Sequence, residues 1–109
     1  MEAIEIAENI LKNRTPYEKT VYLLKYYRDL KQGKEINKNY RNVIPLIDKV
    51  IELIDDDKYI DIIKCLYVKG YTYEATAEAL KMDKSTMFRQ RRRIIRRISI
   101  IIYGDRALL

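Results

Sequence analysis

The stretch that follows Asp83 carries apolar residues at helical spacing, and no other feature constrains the fold as strongly. At about 100° per residue, these side chains fall in one narrow sector with a flank beside it. The sector holds Met87, Ile94, Ile98 and Ile101, and the flank holds Phe88, Ile95 and Ile102. The pattern predicts a long helix that buries this stripe against the rest of the chain.

Glycine and proline are too scarce to separate the strands of a sheet, since the 109 residues include 3 Gly and 2 Pro. We therefore predict an all-α fold, a helical bundle with short turns. Apolar residues at spacings of three and four predict further helices upstream. These cover residues 2–13, 17–30, 44–55 and 59–68, and the second has Thr15 as its N-cap, Pro16 at its first position and Gly33 at its end.

The side chains that enzyme chemistry needs are largely missing. Histidine is absent and cysteine occurs once, which removes the usual zinc ligands and the commonest general base. Cys65 lies in an apolar run and is expected to be a buried small hydrophobic residue. The adjacent Asp55, Asp56 and Asp57 are expected to form a turn that caps the next helix, not a metal site. We predict that the chain is not an enzyme and holds no cofactor or metal.

The N-terminus is acidic where a secretory signal would be basic. No apolar stretch approaches the ~20 residues that span a bilayer. A single cysteine also suits a reducing compartment. The sequence therefore predicts a soluble, cytoplasmic protein with no membrane partner.

Positive charge is concentrated at the C-terminal end of the chain. The formal net charge is +6, yet residues 1–80 hold 13 basic and 14 acidic side chains, whereas residues 81–109 hold 9 basic and 2 acidic ones. No acidic residue lies between Asp83 and Asp105. A nearly neutral body with one basic element is the pattern expected of a nucleic-acid-binding protein.

Two predicted helices flank the short turn at residues 81–83. Thr72 is expected to cap a short helix over residues 73–80, and Asp83 is expected to cap the long helix that follows. Helices joined by so short a turn cross steeply, and Ala77 offers the small side chain needed where they touch. The first turns of the second helix then project toward a DNA major groove. The spacing predicts a C-terminal helix-turn-helix with a long basic recognition helix.

Polar and basic residues occupy the face of this helix opposite its apolar stripe. Side chains at its N-terminal end reach bases most easily, and arginines farther along are expected to hold backbone phosphates. Arg91 projects near the apolar stripe, so we expect it to pair with Glu74, Glu78 or an aspartate, away from DNA. The predicted groove contacts are Lys84, Ser85, Thr86, Arg89 and Gln90, and the predicted phosphate contacts are Arg92, Arg93, Arg96 and Arg97.

The C-terminal half resembles the region-4 helix-turn-helix of sigma-70-type factors. The resemblance lies in the run Gly70-Tyr71-Thr72-Tyr73-Glu74-Ala75-Thr76-Ala77-Glu78-Ala79-Leu80. Residues 83–98 are similar to small phage transcription regulators of the RinA and ArpU type. Within the helix-turn-helix motif, Thr76 replaces the usual aliphatic residue and Lys81 stands where a turn glycine is common. The resemblance implies a late-gene transcription regulator of a phage or prophage that binds double-stranded DNA, with RNA polymerase as a second partner.

We divide the chain into an N-terminal helical region, residues 1–55, and a DNA-binding region, residues 56–109. The first region is expected to serve partner contact or assembly, such as formation of a homodimer. Two other functions stay open at this point. One is a small terminase-like DNA-packaging subunit. The other is a helical protein-protein adaptor in which the second helix and the apolar residues 98–103 bind another protein.

Overall fold

The computed structural model describes residues 13–36 and 43–108, and every regular element in these ranges is helical. The predicted all-α fold is therefore confirmed for this part of the chain. The helix predicted over residues 2–13 lies outside the described residues apart from its last position. The helices are α1 (Pro16–Gln32), α2 (Val43–Leu53), α3 (Ile60–Ile63), α4 (Tyr73–Ala79) and α5 (Lys84–Tyr103), while a π-helical segment (Lys64–Val68) prolongs α3 and a 3-10 helix (Gly104–Leu108) follows α5.

Helix α1 begins and ends where its local sequence predicts. The Glu18 N–H donates to Thr15 Oγ1 at 3.1 Å. Pro16 takes the first helical position, where its missing N–H breaks no helical hydrogen bond. At the other end, the Gly33 N–H donates to the Asp29 carbonyl at 3.0 Å. Both predicted ends of this helix are confirmed.

One large apolar core joins α1, α2, α3 and α5. Its members come from both sides of residue 55, so the two parts of the described chain share it. The side chains buried in it include Leu24, Tyr27, Ile47, Ile54, Ile63, Ile94, Ile95 and Ile98. Burying an isoleucine contributes about 1.5–3 kcal/mol. The inner side of α5 is therefore held firmly, and its opposite side is turned to solvent.

The buried face of α5 shifts along the helix. Ile94 and Ile98 are fully buried, as the apolar stripe predicts, whereas Ile101 is 39% exposed. Ser99 is buried instead, and its hydroxyl donates to the Arg96 carbonyl at 2.8 Å. Packed helices cross at an angle, so the face in contact changes along a long helix. The prediction that Ile101 belongs to the buried stripe is therefore wrong.

A smaller core joins α3, α4 and α5. Ile62, Ala77 and Met87 are its buried members, and this confirms the predicted helix contact at Ala77. Leu80 and Met82, on either side of Lys81 in the turn, pack against it as partly buried side chains. Because Met87 belongs to the first turns of α5, this cluster holds the start of α5 on its inner side.

The acidic turn at residues 55–57 precedes α3 but does not cap it with a side chain. Helix α3 begins at Ile60, and its N-cap residue, Tyr59, makes no side-chain cap hydrogen bond. Asp57 Oδ1 accepts the Tyr59 N–H at 2.9 Å, before the helix starts. The predicted capping role is therefore corrected. The reason is tertiary, since the Asp57 carboxylate is engaged by side chains of α5.

The connection from α3 to α4 bends at Gly70. The Lys69 N–H donates to the Lys64 carbonyl at 2.9 Å, and the Tyr71 N–H donates to the Cys65 carbonyl at 2.8 Å. Gly70 has a φ of +77°, a conformation that residues with a Cβ rarely adopt. Cys65 is buried, and the predicted burial of the cysteine is confirmed.

Candidate nucleic-acid interface

The connection from α4 to α5 is held by cap hydrogen bonds at both helix starts. Thr72 Oγ1 accepts the Ala75 N–H at 3.0 Å, and Asp83 Oδ1 accepts the Thr86 N–H at 2.6 Å. Both predicted N-caps are confirmed. Lys81 lies in the turn with a φ of +54°, the left-handed conformation that glycine adopts most easily. These features set the direction in which α5 leaves the turn.

Three exposed arginines follow one another along the outer side of α5. We call Arg89, Arg92 and Arg96 the arginine ridge. At about 100° per residue they lie within about 60° of one another, and the first and last are about 10 Å apart along the helix axis. Arg92 and Arg96 make no hydrogen bond or ion pair with any residue that the structure describes. Their guanidinium N–H groups are available to an external anion.

The residues predicted to reach DNA bases lie in the first turns of α5. Lys84 and Ser85 are exposed, whereas Thr86 and Gln90 are half-buried. Lys84 Nζ lies 2.9 Å from Glu74 Oε1, and its hydrogen bond lowers the pKa of that carboxyl. Exposed ion pairs contribute little to stability. Lys84 can therefore exchange Glu74 for another anion at small cost.

Asp57 binds two of the predicted phosphate contacts. Its carboxylate accepts hydrogen bonds from Arg93 Nη1 at 2.9 Å, from Arg93 Nη2 at 2.8 Å and from Arg97 Nη1 at 3.1 Å. The Tyr59 N–H supplies a further bond at 2.9 Å. The Asp57 side chain is only 4% exposed. We call Asp57, Arg93 and Arg97 the aspartate clamp.

The aspartate clamp is fully ionised at neutral pH. The Arg93 hydrogen bonds are the main cause that lowers the pKa of Asp57 from 3.8 to about 2, with help from the Tyr59 N–H and Arg97 and against the opposing effect of burial. Asp57 in turn raises the pKa of Arg93. The clamp therefore carries one net positive charge in place of two. The Arg93 and Arg97 side chains stay 47% and 42% exposed.

Sequence patterns around α5 do not reveal this clamp. Arg93 and Asp57 lie 36 positions apart. The lack of acidic residues between Asp83 and Asp105 gives no indication of a partner such as Asp57, which lies outside that range. The only signal is the acidic turn at residues 55–57, which fits a helix cap equally well. In the structure, Arg93 and Arg97 both bind the Asp57 carboxylate. That these two residues contact DNA stays a prediction.

Arg91 has aromatic partners, and the prediction that it pairs with a carboxylate is wrong. Its Nε donates to Tyr67 Oη at 2.9 Å, and its guanidinium carbon lies 5.8 Å from the ring centres of Tyr67 and Tyr73. The faces of aromatic rings attract cations. Glu74 is occupied by Lys84 instead. The expectation that Arg91 does not contact DNA stays a prediction.

Within the described ranges, no three His, Cys, Asp or Glu side chains are grouped so that they could hold a metal ion. No helix in those ranges combines the length and the apolar character needed to cross a membrane. No protein-family model, curated protein or solved structure matches this chain. Its function is therefore inferred from the geometry and charge of the site.

Proposed function

We propose that this chain binds double-stranded DNA through the outer face of α5 and acts as a transcription regulator. The arginine ridge supports this proposal most strongly. Its three guanidiniums are exposed on one face of a helix whose opposite side is buried in the core, and two of them have no partner in the described chain. Such a face offers charge to an external anion without the loss of an internal contact.

The chemistry of the arginine ridge suits nucleic acid. A guanidinium is a planar fork of N–H donors that binds a phosphate, or the O6 and N7 edge of guanine, through two hydrogen bonds. A helix with its side chains is about 10–12 Å in diameter, which fits a B-DNA major groove about 12 Å wide. In this proposal α4 and α5 form a helix-turn-helix. Lys84, Ser85, Thr86, Arg89 and Gln90 face the bases, and Arg92 and Arg96 hold phosphates.

The local structure supports a rigid presentation of this face. The Asp83 cap fixes the first turn of α5, and Met87 anchors the same turns in the smaller core. Groups that are already ordered before binding lose less conformational entropy when they bind. The sigma-like pattern of residues 70–98 favours a regulator of transcription over a packaging subunit or an adaptor.

The proposal is tested by fluorescence anisotropy with labelled duplex DNA over a range of salt concentrations. The triple variant Arg89→Gln, Arg92→Gln and Arg96→Gln keeps helix propensity and a polar side chain at each position while it removes three charges. The matched control is Lys25→Gln, Lys34→Gln and Lys49→Gln, which removes three charges from exposed positions outside α5.

We expect the arginine triple variant to lose binding and the lysine control to keep most of it. Each phosphate contact adds about 0.9 to the slope of log K against log salt, so the loss of the two phosphate contacts made by Arg92 and Arg96 should make the slope of the arginine variant shallower by about 1.8. Equal losses in both triple variants would show that only net charge matters. Failure of the wild-type chain to bind any duplex at low salt would contradict the proposal outright.

Sequence preference is a separate part of the proposal. Repeated selection from a pool of randomised duplexes should enrich a motif, because side chains in the first turns of α5 reach base edges. A defined large ring in light scattering would instead favour DNA packaging. If the chain binds no DNA but captures a protein partner, the result would favour the adaptor function.

A further inference from the structure

We infer that Asp57 restricts the arginines that contact DNA to those of the arginine ridge, because it holds Arg93 and Arg97 in internal ion pairs. Asp57 is then a positioning residue of the interface, and it narrows the set of arginines that reach phosphate. This inference rests on the proposed function, since it names which cations of that site take part in binding.

The acceptor capacity of Asp57 is filled by the protein itself. A carboxylate offers about four lone-pair sites. Oδ1 accepts from Arg93 Nη2 and from the Tyr59 N–H, and Oδ2 accepts from Arg93 Nη1 and Arg97 Nη1. If DNA phosphate drew Arg93 away, a carboxylate that is 4% exposed would lose its main counterion. Leaving a buried charge without its partner is strongly unfavourable, so this exchange is disfavoured.

Arg92 and Arg93 form a natural matched pair. They are neighbours on the same helix and carry the same charge, and both are exposed. Arg92 has no partner in the described chain, whereas Arg93 has three of its N–H groups engaged, two by Asp57 and one by Gln90. If only charge mattered, Arg92 and Arg93 would contribute equally to DNA binding. Their different contacts predict that Arg92 contributes more.

The aspartate clamp is also hydrogen-bonded to Gln90, one of the predicted base contacts. Arg93 Nε donates to Gln90 Oε1 at 2.7 Å. Because a guanidinium has no acceptor, it is the Gln90 carbonyl that must face Arg93. The amide NH2 of Gln90 is then directed elsewhere, as a donor. Asp57 therefore orients Gln90 through Arg93, in addition to withholding Arg93 from phosphate.

The test compares Arg92→Gln with Arg93→Gln in the full chain, by salt-dependent anisotropy with duplex DNA and by thermal unfolding. Arg92→Gln should make the salt slope shallower by about 0.9 and leave the unfolding midpoint unchanged. Arg93→Gln should change the slope by less than half of that amount and lower the midpoint. Equal slope changes in the two variants would overturn the inference.

Asp57→Asn provides the reverse perturbation and covers the case in which Arg93→Gln does not fold. It keeps an acceptor for the Tyr59 N–H but removes the charge that holds both arginines. We expect tighter DNA binding and a salt slope steeper by about 1 to 2, since up to two guanidiniums are released to phosphate. A merely structural role predicts weaker or unchanged binding, and either result would overturn the inference.

The proposed function and the role of Asp57 can be refuted separately. A wild-type chain that binds no duplex contradicts the proposed function, and the role of Asp57 falls with it. A wild-type chain that binds, with Asp57→Asn no tighter and with Arg92→Gln and Arg93→Gln alike, overturns the role of Asp57 alone.

Discussion

Asp57 should make a pH-dependent contribution to stability that can be isolated with Asp57→Asn. The pKa of this carboxyl is lowered from 3.8 to about 2 in the folded chain. Each unit of difference corresponds to about 1.36 kcal/mol. Ionised Asp57 should therefore stabilise the fold by about 2 kcal/mol at neutral pH. The Asp57 side chain is 4% exposed, but its arginine partners are 47% and 42% exposed, so solvent screening makes about 2 kcal/mol the upper value of this contribution.

The sign follows from the lowered pKa. Above about pH 5 the carboxyl is ionised in both states, and the full contribution is present. As the pH falls from about 5 to below 2, the unfolded chain takes up the proton first and the contribution is lost. The assay is urea unfolding followed by circular dichroism, for wild type and Asp57→Asn, at several pH values over this range and at neutral pH.

Wild type should exceed Asp57→Asn in free energy of unfolding by up to about 2 kcal/mol at pH 7, and most of the pH-dependent part of this difference should be lost at pH 2. Any difference that stays constant with pH belongs to the shape and hydrogen bonding of asparagine. A difference that does not change between pH 7 and pH 2 would refute the ion pairs as we describe them.

Four further substitutions test α5, the preceding turn and α4, each by its free energy of unfolding. Ile94→Ala should lose about 2–5 kcal/mol because Ile94 is fully buried, whereas Ile101→Ala, at a side chain 39% exposed, should lose much less. Comparable losses at the two sites would contradict the shifted buried face. Lys81→Gly should gain about 1 kcal/mol because the φ of Lys81 is +54°, and a loss would show that the turn is not strained. Thr76→Val should gain about 1 kcal/mol, because the buried Thr76 Oγ1 has no hydrogen-bond partner in the described chain, and destabilisation would reveal a partner for that hydroxyl.

The features that sequence predicts well are those decided within a few residues. Thr15, Thr72 and Asp83 each cap a helix by a bond to an N–H three positions ahead, so the pattern and the geometry coincide. The first part of the apolar stripe, such as Ile94, is also predicted correctly, because one face of a helix must meet the core.

The features that sequence misses depend on which distant segments meet. Asp57 reaches Arg93 across 36 positions, and Arg91 finds Tyr67 across 24. Charge counting favours carboxylates as partners, so it does not anticipate an arginine held by aromatic rings. Ile101 is misplaced because a fixed angular projection ignores the crossing of packed helices. These errors change which arginines are available and leave the all-helical fold as predicted.

The most direct test of the central claim is a titration of the labelled protein with duplex DNA, followed by the shifts of its backbone amide resonances in NMR spectra. We expect the perturbed amides to cluster in the first turns of α5 and beside Arg89, Arg92 and Arg96, with small changes in α1 and α2. Perturbations centred on α1 or α2, or none at low salt, would contradict the assignment of DNA binding to this face.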